Sequence, residues 1–176
     1  GASDPMKAWR PELFGQTLAA LSRQTPVGYV FIGTESERKA IETAQMAYRQ
    51  AGGRGPLCDA VGRTTLPQLA AVLAQCRLLL TNDTGPMHLA VGVGTPVIDL
   101  SVGHVDFRET GPYGPGHWIV QPDMGCAPCG FDQVCLHHAC KDRLVPDQIA
   151  ALCLHVLKRA AFPEKIGGIK VYRSRV

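Results

Sequence analysis

Several features that would place the sequence in a broad class of protein are missing from it. No run of 18 apolar residues occurs, so no segment is long enough to cross a membrane as a helix. No charged start followed by an apolar stretch marks a signal peptide. The net charge is only +3 across 176 residues, which lacks the strong basic bias of nucleic-acid-binding domains. We therefore expect no transmembrane segment and no nucleic-acid partner.

The residues that are present indicate a globular domain with a buried core. Apolar residues make up 45% of the chain and charged residues 19%, which is an ordinary balance for such a domain. A length of 176 residues suits one domain. The chain starts with Gly-Ala-Ser rather than Met, and we interpret it as part of a longer protein.

Helical and strand patterns alternate along the chain. Helical patterns cover Pro11–Arg23, Ser36–Ala51, Thr65–Cys76, Thr84–Val91 and Pro146–Arg159. Short apolar runs that predict strands cover Val27–Ile32, Leu57–Val61, Leu78–Thr81, Val97–Leu100 and Trp118–Gln121. This alternation predicts an α/β fold, with a parallel sheet and helices on both of its faces. Such sheets bind ligands at the carboxyl ends of their strands.

The segment that follows the strand Leu78–Thr81 has the features of an anion site. The strand runs into Asn-Asp-Thr-Gly and then into a helix, whose N-terminal end attracts negative charge. Asp83 or Thr84 can cap that helix, Gly85 permits close approach of a ligand, and His88 lies one turn further on. A diphosphate would suit this site. The alternative is structural, with Asp83 as a simple helix cap and His88 as a core histidine.

Four of the seven cysteines are clustered, with the spacing C-x2-C-x5-C-x4-C. The apolar core is large for a disulfide-stapled domain, so the cysteine count does not place the chain outside the cell. The cluster suits tetrahedral zinc in a structural site, and two disulfides or four free thiols are the alternatives. Its members are Cys126, Cys129, Cys135 and Cys140.

Four motifs in order resemble glycosyltransferase family 9, the ADP-heptose:lipopolysaccharide heptosyltransferases. The first is Gly-Ala-Ser followed by Lys7 and Trp9, and the second is Phe-Ile-Gly33 followed by Glu37. The third is Asp83-Thr-Gly-x-x-His88 with the turn Gly94-Thr-Pro-Val, and the fourth is the cysteine cluster. Together the motifs cover nearly the whole chain, up to about Arg159.

The resemblance implies an enzyme with two Rossmann-like domains across a cleft, the GT-B architecture. The chain resembles only the C-terminal, nucleotide-sugar-binding domain, at residues 1–160 with a cysteine-rich loop at 122–145. Residues 161–176 are then a C-terminal tail. The N-terminal acceptor domain, which would supply a carboxylate base, lies outside the chain. We therefore expect the chain alone to be inactive.

The resemblance also implies roles for individual residues. Lys7 matches a lysine that contacts the donor diphosphate, and a cation there would stabilise the leaving group. Glu37 matches an acidic residue that recognises the nucleoside, although its Thr-Glu-Ser-Glu sequence is also a capping box. The diphosphate and sugar site is expected to include Asp83, Thr84, Gly85 and His88.

The reaction that the resemblance implies is inverting transfer of a sugar to a lipid-linked saccharide acceptor of the lipopolysaccharide type, with heptose from ADP-heptose as the expected sugar. No two aspartates have Asp-x-Asp spacing, which favours a mechanism that needs no metal or other cofactor. The expected location is the cytoplasm, at the inner face of the membrane. The alternatives are a zinc-stabilised protein-binding module, or another GT-B enzyme such as a nucleotide-sugar epimerase.

Overall fold

The order of helices and strands follows the apolar pattern of the sequence. The structure, a computed structural model, describes residues 4–129, 135, 137–159, 165–166 and 168–174. Its helices are α1 (Pro11–Ser22), α2 (Arg38–Gln50), α3 (Leu66–Gln75), α4 (Gly85–Gly92), α5 (Phe107–Thr110), α6 (Ala139–Arg143) and α7 (Pro146–Lys158). Its strands are β1 (Tyr29–Phe31), β2 (Leu57–Asp59), β3 (Leu79–Asn82), β4 (Val97–Leu100), β5 (Trp118–Pro122), β6 (Lys165–Ile166) and β7 (Ile169–Arg173). Short 3-10 turns at Pro5–Lys7 and Glu35–Glu37 precede α1 and α2.

Each of the five predicted helices and five predicted strands has a counterpart, with ends that differ by up to two residues. The α/β fold class is therefore confirmed. The sequence analysis missed α5, α6, β6 and β7, which are short or lie near the cysteine cluster and the C-terminal segment. No helix among the described residues is long and apolar enough to cross a membrane.

The main sheet has the strand order β3-β4-β5-β7-β6, and β1 and β2 form a separate parallel pair. β3, β4 and β5 run parallel, whereas β7 pairs antiparallel with β5 and β6 pairs antiparallel with β7. The sheet is thus mixed at one side instead of parallel throughout. β7 lies in the segment that the sequence predicts as a tail, so this part of residues 161–176 belongs to the sheet.

Neighbouring residues of β4 point to opposite faces of the sheet, and each face has its own helices. Ile98 and Leu100 pack in the larger core with residues of α1 and α7. Val97 packs in a second core with Leu73 of α3 and Met87 of α4. Helices therefore cover both faces, as the sequence predicts.

One layer of helices is held together by very close packing of α1 against α2. A Cβ atom at Gly15 would lie 2.2 Å from the carbonyl oxygen of Ala44 and 2.7 Å from the backbone nitrogen of Tyr48. The absence of a side chain at Gly15 therefore sets how closely the two helices approach. On its other side α1 packs against α7, which gives the layer order α2-α1-α7.

Candidate functional site

The polar segments predicted for the site meet at the carboxyl ends of β3 and β4. The backbone N–H of Trp9 donates a hydrogen bond to Oδ1 of Asn82, the last residue of β3, at 3.0 Å. After β4, Gly103 lies so close to the carbonyl oxygen of Met6 that a Cβ atom there would be 2.2 Å from it. The segment Asp4–Trp9 therefore lies across this edge of the sheet, and it brings Lys7 to the same edge as Asn82 and its successors.

Helix α6 anchors the segment that carries Lys7. The indole N–H of Trp9, which is 1% exposed, donates to the carbonyl of Lys141 at 2.7 Å. The ammonium group of Lys141 donates to the carbonyl of Pro5 at 2.6 Å, and Arg10 forms an ion pair with Asp142 at 2.6 Å. α6 lies within the cysteine-rich loop and includes Cys140, so this end of the loop contacts the segment that carries the lysine predicted to contact phosphate.

The N-terminus of α4 lies directly after β3. Thr84 occupies the N-cap position, but its side chain does not cap the helix; its hydroxyl donates instead to the carbonyl of Asn82 at 3.3 Å. The prediction that Asp83 or Thr84 would cap α4 is therefore not met at Thr84. A Cβ atom at Gly85 would meet no heavy atom within 4 Å among its described neighbours. Space beside the helix end is open, and His88 is exposed one turn into the helix.

The Gly- and Pro-rich segment 101–117, which follows β4, contacts the residues of the site. The hydroxyl of Thr110 in α5 donates to Oδ2 of Asp83 at 2.5 Å. Nδ1 of His104 lies 3.4 Å from Oδ2 of Asp4. The first contact fixes the carboxylate of Asp83, and the second joins the loop after β4 to the segment that carries Lys7.

Asp99 is a buried acidic residue near the site that the sequence pattern did not single out. It lies in β4 opposite Thr81, is fully buried, and neither carboxylate oxygen has a hydrogen-bond partner among the described residues. Burial, and secondarily the nearby carboxylate of Asp83, raises the pKa of Asp99 well above its ordinary value. The neutral form is therefore favoured. The sequence signal was an acidic residue inside the apolar run Val-Ile-Asp-Leu.

Glu37 caps its own helical turn. Its Oε2 accepts hydrogen bonds from the backbone N–H of Thr34 at 2.7 Å and from the Thr34 hydroxyl at 2.9 Å. This is the capping-box alternative, and it accounts for the residue pattern without a ligand. The role of Glu37 in nucleoside recognition stays a prediction.

The four clustered cysteines form no disulfide with one another, and Cys140 is buried while Cys126 is exposed. Burial, followed by the neighbouring thiols of Cys140, Cys126 and Cys135, raises the pKa of Cys129. The four side chains therefore lie within electrostatic range of one another. In the described part of the chain, no three His, Cys, Asp or Glu side chains form a ready set of metal ligands.

Comparison with known sequences finds heptosyltransferases and the model of their family. The model of glycosyltransferase family 9 (heptosyltransferase) matches residues 1–139. Lipooligosaccharide heptosyltransferase 2 of Campylobacter jejuni is 26% identical over 157 residues, which are 88% of this chain and 48% of that protein. Lipopolysaccharide core heptosyltransferase OpsX of Haemophilus influenzae is 46% identical over 52 residues, which are 30% of this chain and 15% of that protein.

Solved structures show the same fold. ADP-heptose lipopolysaccharide heptosyltransferase II of E. coli superposes with a TM-score of 0.73 and 20% identity, over 90% of this chain and 45% of that one. A family 9 glycosyl transferase of Veillonella parvula gives 0.68 and 22%, over 91% and 44%. The chain thus spans about half the length of the proteins that it matches.

Proposed function

Because the chain belongs to glycosyltransferase family 9, the heptosyltransferase family, we propose that it is the part of such an enzyme that binds the nucleotide-sugar donor. The observation that carries this proposal is the meeting of two predicted segments at one edge of the sheet. Asn82 joins them, since it ends β3, accepts a hydrogen bond from Trp9 and precedes the loop of Asp83 and Thr84. Parallel sheets bind nucleotides at this edge.

The diphosphate is proposed to bind between Lys7 and the N-terminus of α4. Lys7 supplies a full positive charge, and the helix end supplies a partial one. The open space beside Gly85 lets phosphate oxygens approach the backbone, and His88 is exposed on the first turn of the same helix. These groups would stabilise the charge that develops on the diphosphate as the sugar leaves it.

The proposed reaction is inverting sugar transfer. An acceptor hydroxyl attacks the anomeric carbon from the face opposite the diphosphate, the bond from that carbon to the phosphate oxygen breaks, and the hydroxyl proton passes to a carboxylate. We place this carboxylate in the acceptor domain, outside the chain. Lys7 and the helix end take the part of a metal ion at the leaving group.

The donor and acceptor are proposed from the relatives. The names of the matched proteins specify heptosyl transfer, and one of them specifies ADP-heptose. We therefore propose ADP-heptose as donor and a lipid-linked saccharide of the lipopolysaccharide type as acceptor. The enzyme would then work in the cytoplasm at the inner membrane face, where the two substrates meet.

Calorimetric titration of the chain with ADP tests the donor site, with GDP and UDP as competing nucleotides. We expect ADP to bind, and we expect Lys7→Ala and His88→Ala each to weaken binding at least about tenfold, or 1.4 kcal/mol. The matched control is Lys158→Ala, since Lys158 is an exposed lysine at the end of α7. Preference for UDP or GDP would overturn the choice of ADP-heptose as donor. Equal ADP affinity in Lys7→Ala, His88→Ala and Lys158→Ala would overturn the proposed site.

We also propose a structural role for the cysteine cluster, with zinc held by Cys126, Cys129, Cys135 and Cys140. The supporting observation is the position of α6, which begins beside Cys140 and anchors Trp9 and Arg10. Zinc would draw the thiols together and fix that helix. Metal analysis of protein purified without chelator should find one zinc per chain, and Cys126→Ser/Cys129→Ser should find none. Metal-free protein with unchanged stability would contradict the proposal.

A further inference from the structure

The amino ends of the strands face a region with basic residues and no described acidic ones. The helices α1, α2, α3 and α4 each end shortly before a strand begins, so their C-terminal ends lie at this side of the fold. Neither the last turns of these helices nor the segments that lead into β1 to β5 contain Asp or Glu. Those segments are residues 23–28, 51–56, 76–78, 93–96 and 111–117.

α7 ends at the same side. Arg10 and Asp142 form an ion pair just before α1 and α7 begin, and the two helices pack along each other from there. At their other end the guanidinium of Arg77, which precedes β3, donates to the carbonyl of Leu157 in α7 at 2.7 Å. The guanidinium of Arg23 donates to the carbonyl of the residue after α2 at 2.9 Å, which joins the ends of α1 and α2. These helix ends and the starts of the strands therefore form one surface.

The exposed cations on this surface form two rows, which together we call the basic face. One row follows the helix order α2-α1-α7 and consists of Arg49, Arg23 and Lys158, with Arg159 directly after it. The other row follows the strands and consists of Arg54 before β2, Arg77 before β3, and Arg173, which pairs with the first residue of β5. Packed helices lie about 8–10 Å apart, and the three strand spacings from β3 to β7 amount to about 14 Å. The positive charge is therefore spread over a plane.

The cations of the basic face form no ion pair with any acidic side chain that the structure describes. Near the carboxyl ends of the strands such pairs occur, for example between Lys170 and Asp123 at 2.8 Å. Attraction to the helix dipole explains a cation in the last turn of a helix, such as Arg49. It does not explain Arg54 and Arg173, which lie outside helices. Like charges on one face repel one another, and a negatively charged partner offsets that repulsion.

An exposed aromatic side chain lies at the same end of the strands. Tyr113, which is 75% exposed, belongs to the segment that leads into β5 and lies beside Pro96, the residue before β4. Tyrosine has an apolar ring and a polar hydroxyl, and this combination suits the boundary between lipid and water. Exposed cations together with an exposed tyrosine therefore favour a lipid surface as the partner.

We propose that the basic face binds the surface of an anionic phospholipid bilayer. Each cation near such a surface strengthens binding roughly fivefold. The two rows extend over a plane, as a bilayer surface does, whereas a nucleic-acid strand needs cations along a single groove. The choice of a bilayer rests in part on the proposed function, because the proposed acceptor is carried by a lipid. The proposed donor site lies at the opposite end of the strands, so a soluble nucleotide still reaches it.

Sedimentation of the chain with lipid vesicles tests the proposal. We expect binding to phosphatidylcholine vesicles that contain about one third phosphatidylglycerol, no binding to phosphatidylcholine alone, and weaker binding at about 0.5 M NaCl. Arg54→Glu/Arg173→Glu should weaken binding at least about twentyfold, because two attractive charges become repulsive. The matched control is Lys39→Glu/Arg63→Glu, which changes the net charge equally at exposed positions after β1 and β2. This control should weaken binding less than about threefold, since its charges lie far from the bilayer.

Equal losses in the two double variants would overturn the proposal, because total charge rather than the basic face would then govern binding. Binding to single-stranded RNA without binding to vesicles would also overturn it. Arg54→Glu/Arg173→Glu should keep the wild-type affinity for ADP, which separates the basic face from the donor site. A wild-type chain that binds vesicles but not ADP would overturn the donor site alone. If the glutamate variant does not fold, Arg54→Gln/Arg173→Gln should still weaken vesicle binding at least about fivefold.

Discussion

The backbone N–H of Trp9 donates a hydrogen bond across 73 residues to the side chain of Asn82. This bond joins the segment that carries Lys7 to the end of β3, and from there to the loop before α4. It thereby brings together the two parts of the sequence that we propose bind the diphosphate.

Replacing Asn82 by alanine should disturb both stability and ligand binding. The buried N–H of Trp9 loses its acceptor, which costs about 1–3 kcal/mol of unfolding free energy. ADP affinity should also fall, because Lys7 lies two residues from the lost bond. Urea denaturation and calorimetry measure the two effects. Gln24→Ala is the control, since it removes a hydrogen bond of 3.4 Å from the side-chain amide of Gln24 to the carbonyl of Ala20, away from the site. Unchanged ADP affinity in Asn82→Ala would show that α6 alone holds the segment.

Gly85→Ala should separate binding from folding. The added methyl group meets no described atom within 4 Å, so the unfolding free energy should change by less than about 1 kcal/mol. The same methyl group occupies the space proposed for phosphate, so ADP affinity should fall at least about tenfold. Gly92→Ala, at the other end of α4 and equally uncrowded, should leave affinity unchanged. Equal ADP binding by the two variants would place the ligand elsewhere.

Asp99 should make the stability of the protein depend on pH. Its pKa is raised in the folded state, whereas in the unfolded state it ionises near 3.9. Between these values the folded state holds one more proton, so the stability falls as pH rises, by up to about 1.4 kcal/mol per unit. Urea denaturation at pH 4.5, 6 and 7.5 should show that the unfolding free energy of Asp99→Asn increases relative to that of the wild type as pH rises. A constant difference between the two proteins would contradict this prediction.

An oppositely shifted carboxylate provides the control for Asp99. Arg108 lowers the pKa of Asp106 through a hydrogen bond, so Asp106 contributes stability above its unfolded pKa and loses it as pH falls. Because that loss occurs only as pH falls below about 3.9, the unfolding free energy of Asp106→Asn should differ from that of the wild type by a constant amount between pH 4.5 and 7.5, unlike that of Asp99→Asn. The side chain of Arg108 is 70% exposed, which makes this effect small.

Gly15→Ala should weaken the packing of α1 against α2. The new methyl group would overlap the carbonyl oxygen of Ala44 at 2.2 Å, and backbone atoms cannot move aside as a flexible side chain can. Overpacking of this kind costs about 1–3 kcal/mol, which outweighs the gain in helix propensity. The thermal unfolding midpoint of Gly15→Ala, compared with that of Gly92→Ala, measures the effect. Equal midpoints for the two variants would mean that the helices separate without cost.

Local patterns made much of the fold predictable from the sequence. β4 is an apolar run, interrupted only by Asp99, between Gly-Thr-Pro and Ser, and the capping box that starts at Thr65 marks the beginning of α3. The pattern around Glu37 likewise predicted the cap that the structure shows. In each case the residues that interact are at most a few positions apart.

The contacts that assemble the site could not be predicted in this way. Two hydrogen bonds join residues far apart in sequence, one from Thr110 to Asp83 and one from Trp9 to Asn82. The types of these residues do not indicate which distant residue each one contacts. β7 escaped prediction because its partner, β5, lies beyond a helix and the cysteine-rich segment. Asp99 could have been noticed from its position in an apolar strand, but its burial beneath Asp83 depends on the folded chain.

The antiparallel pairing of β5 with β7 has a consequence for protein synthesis. β5 ends at Pro122 and β7 begins at Ile169, so the ribosome makes β5 well before its partner. At 5–20 residues per second the delay is roughly 2–10 seconds. Throughout that interval the growing chain carries an open sheet edge that neighbouring nascent chains can pair with. Slower translation between these two strands would therefore lengthen the time in which the edge of β5 can pair with another chain.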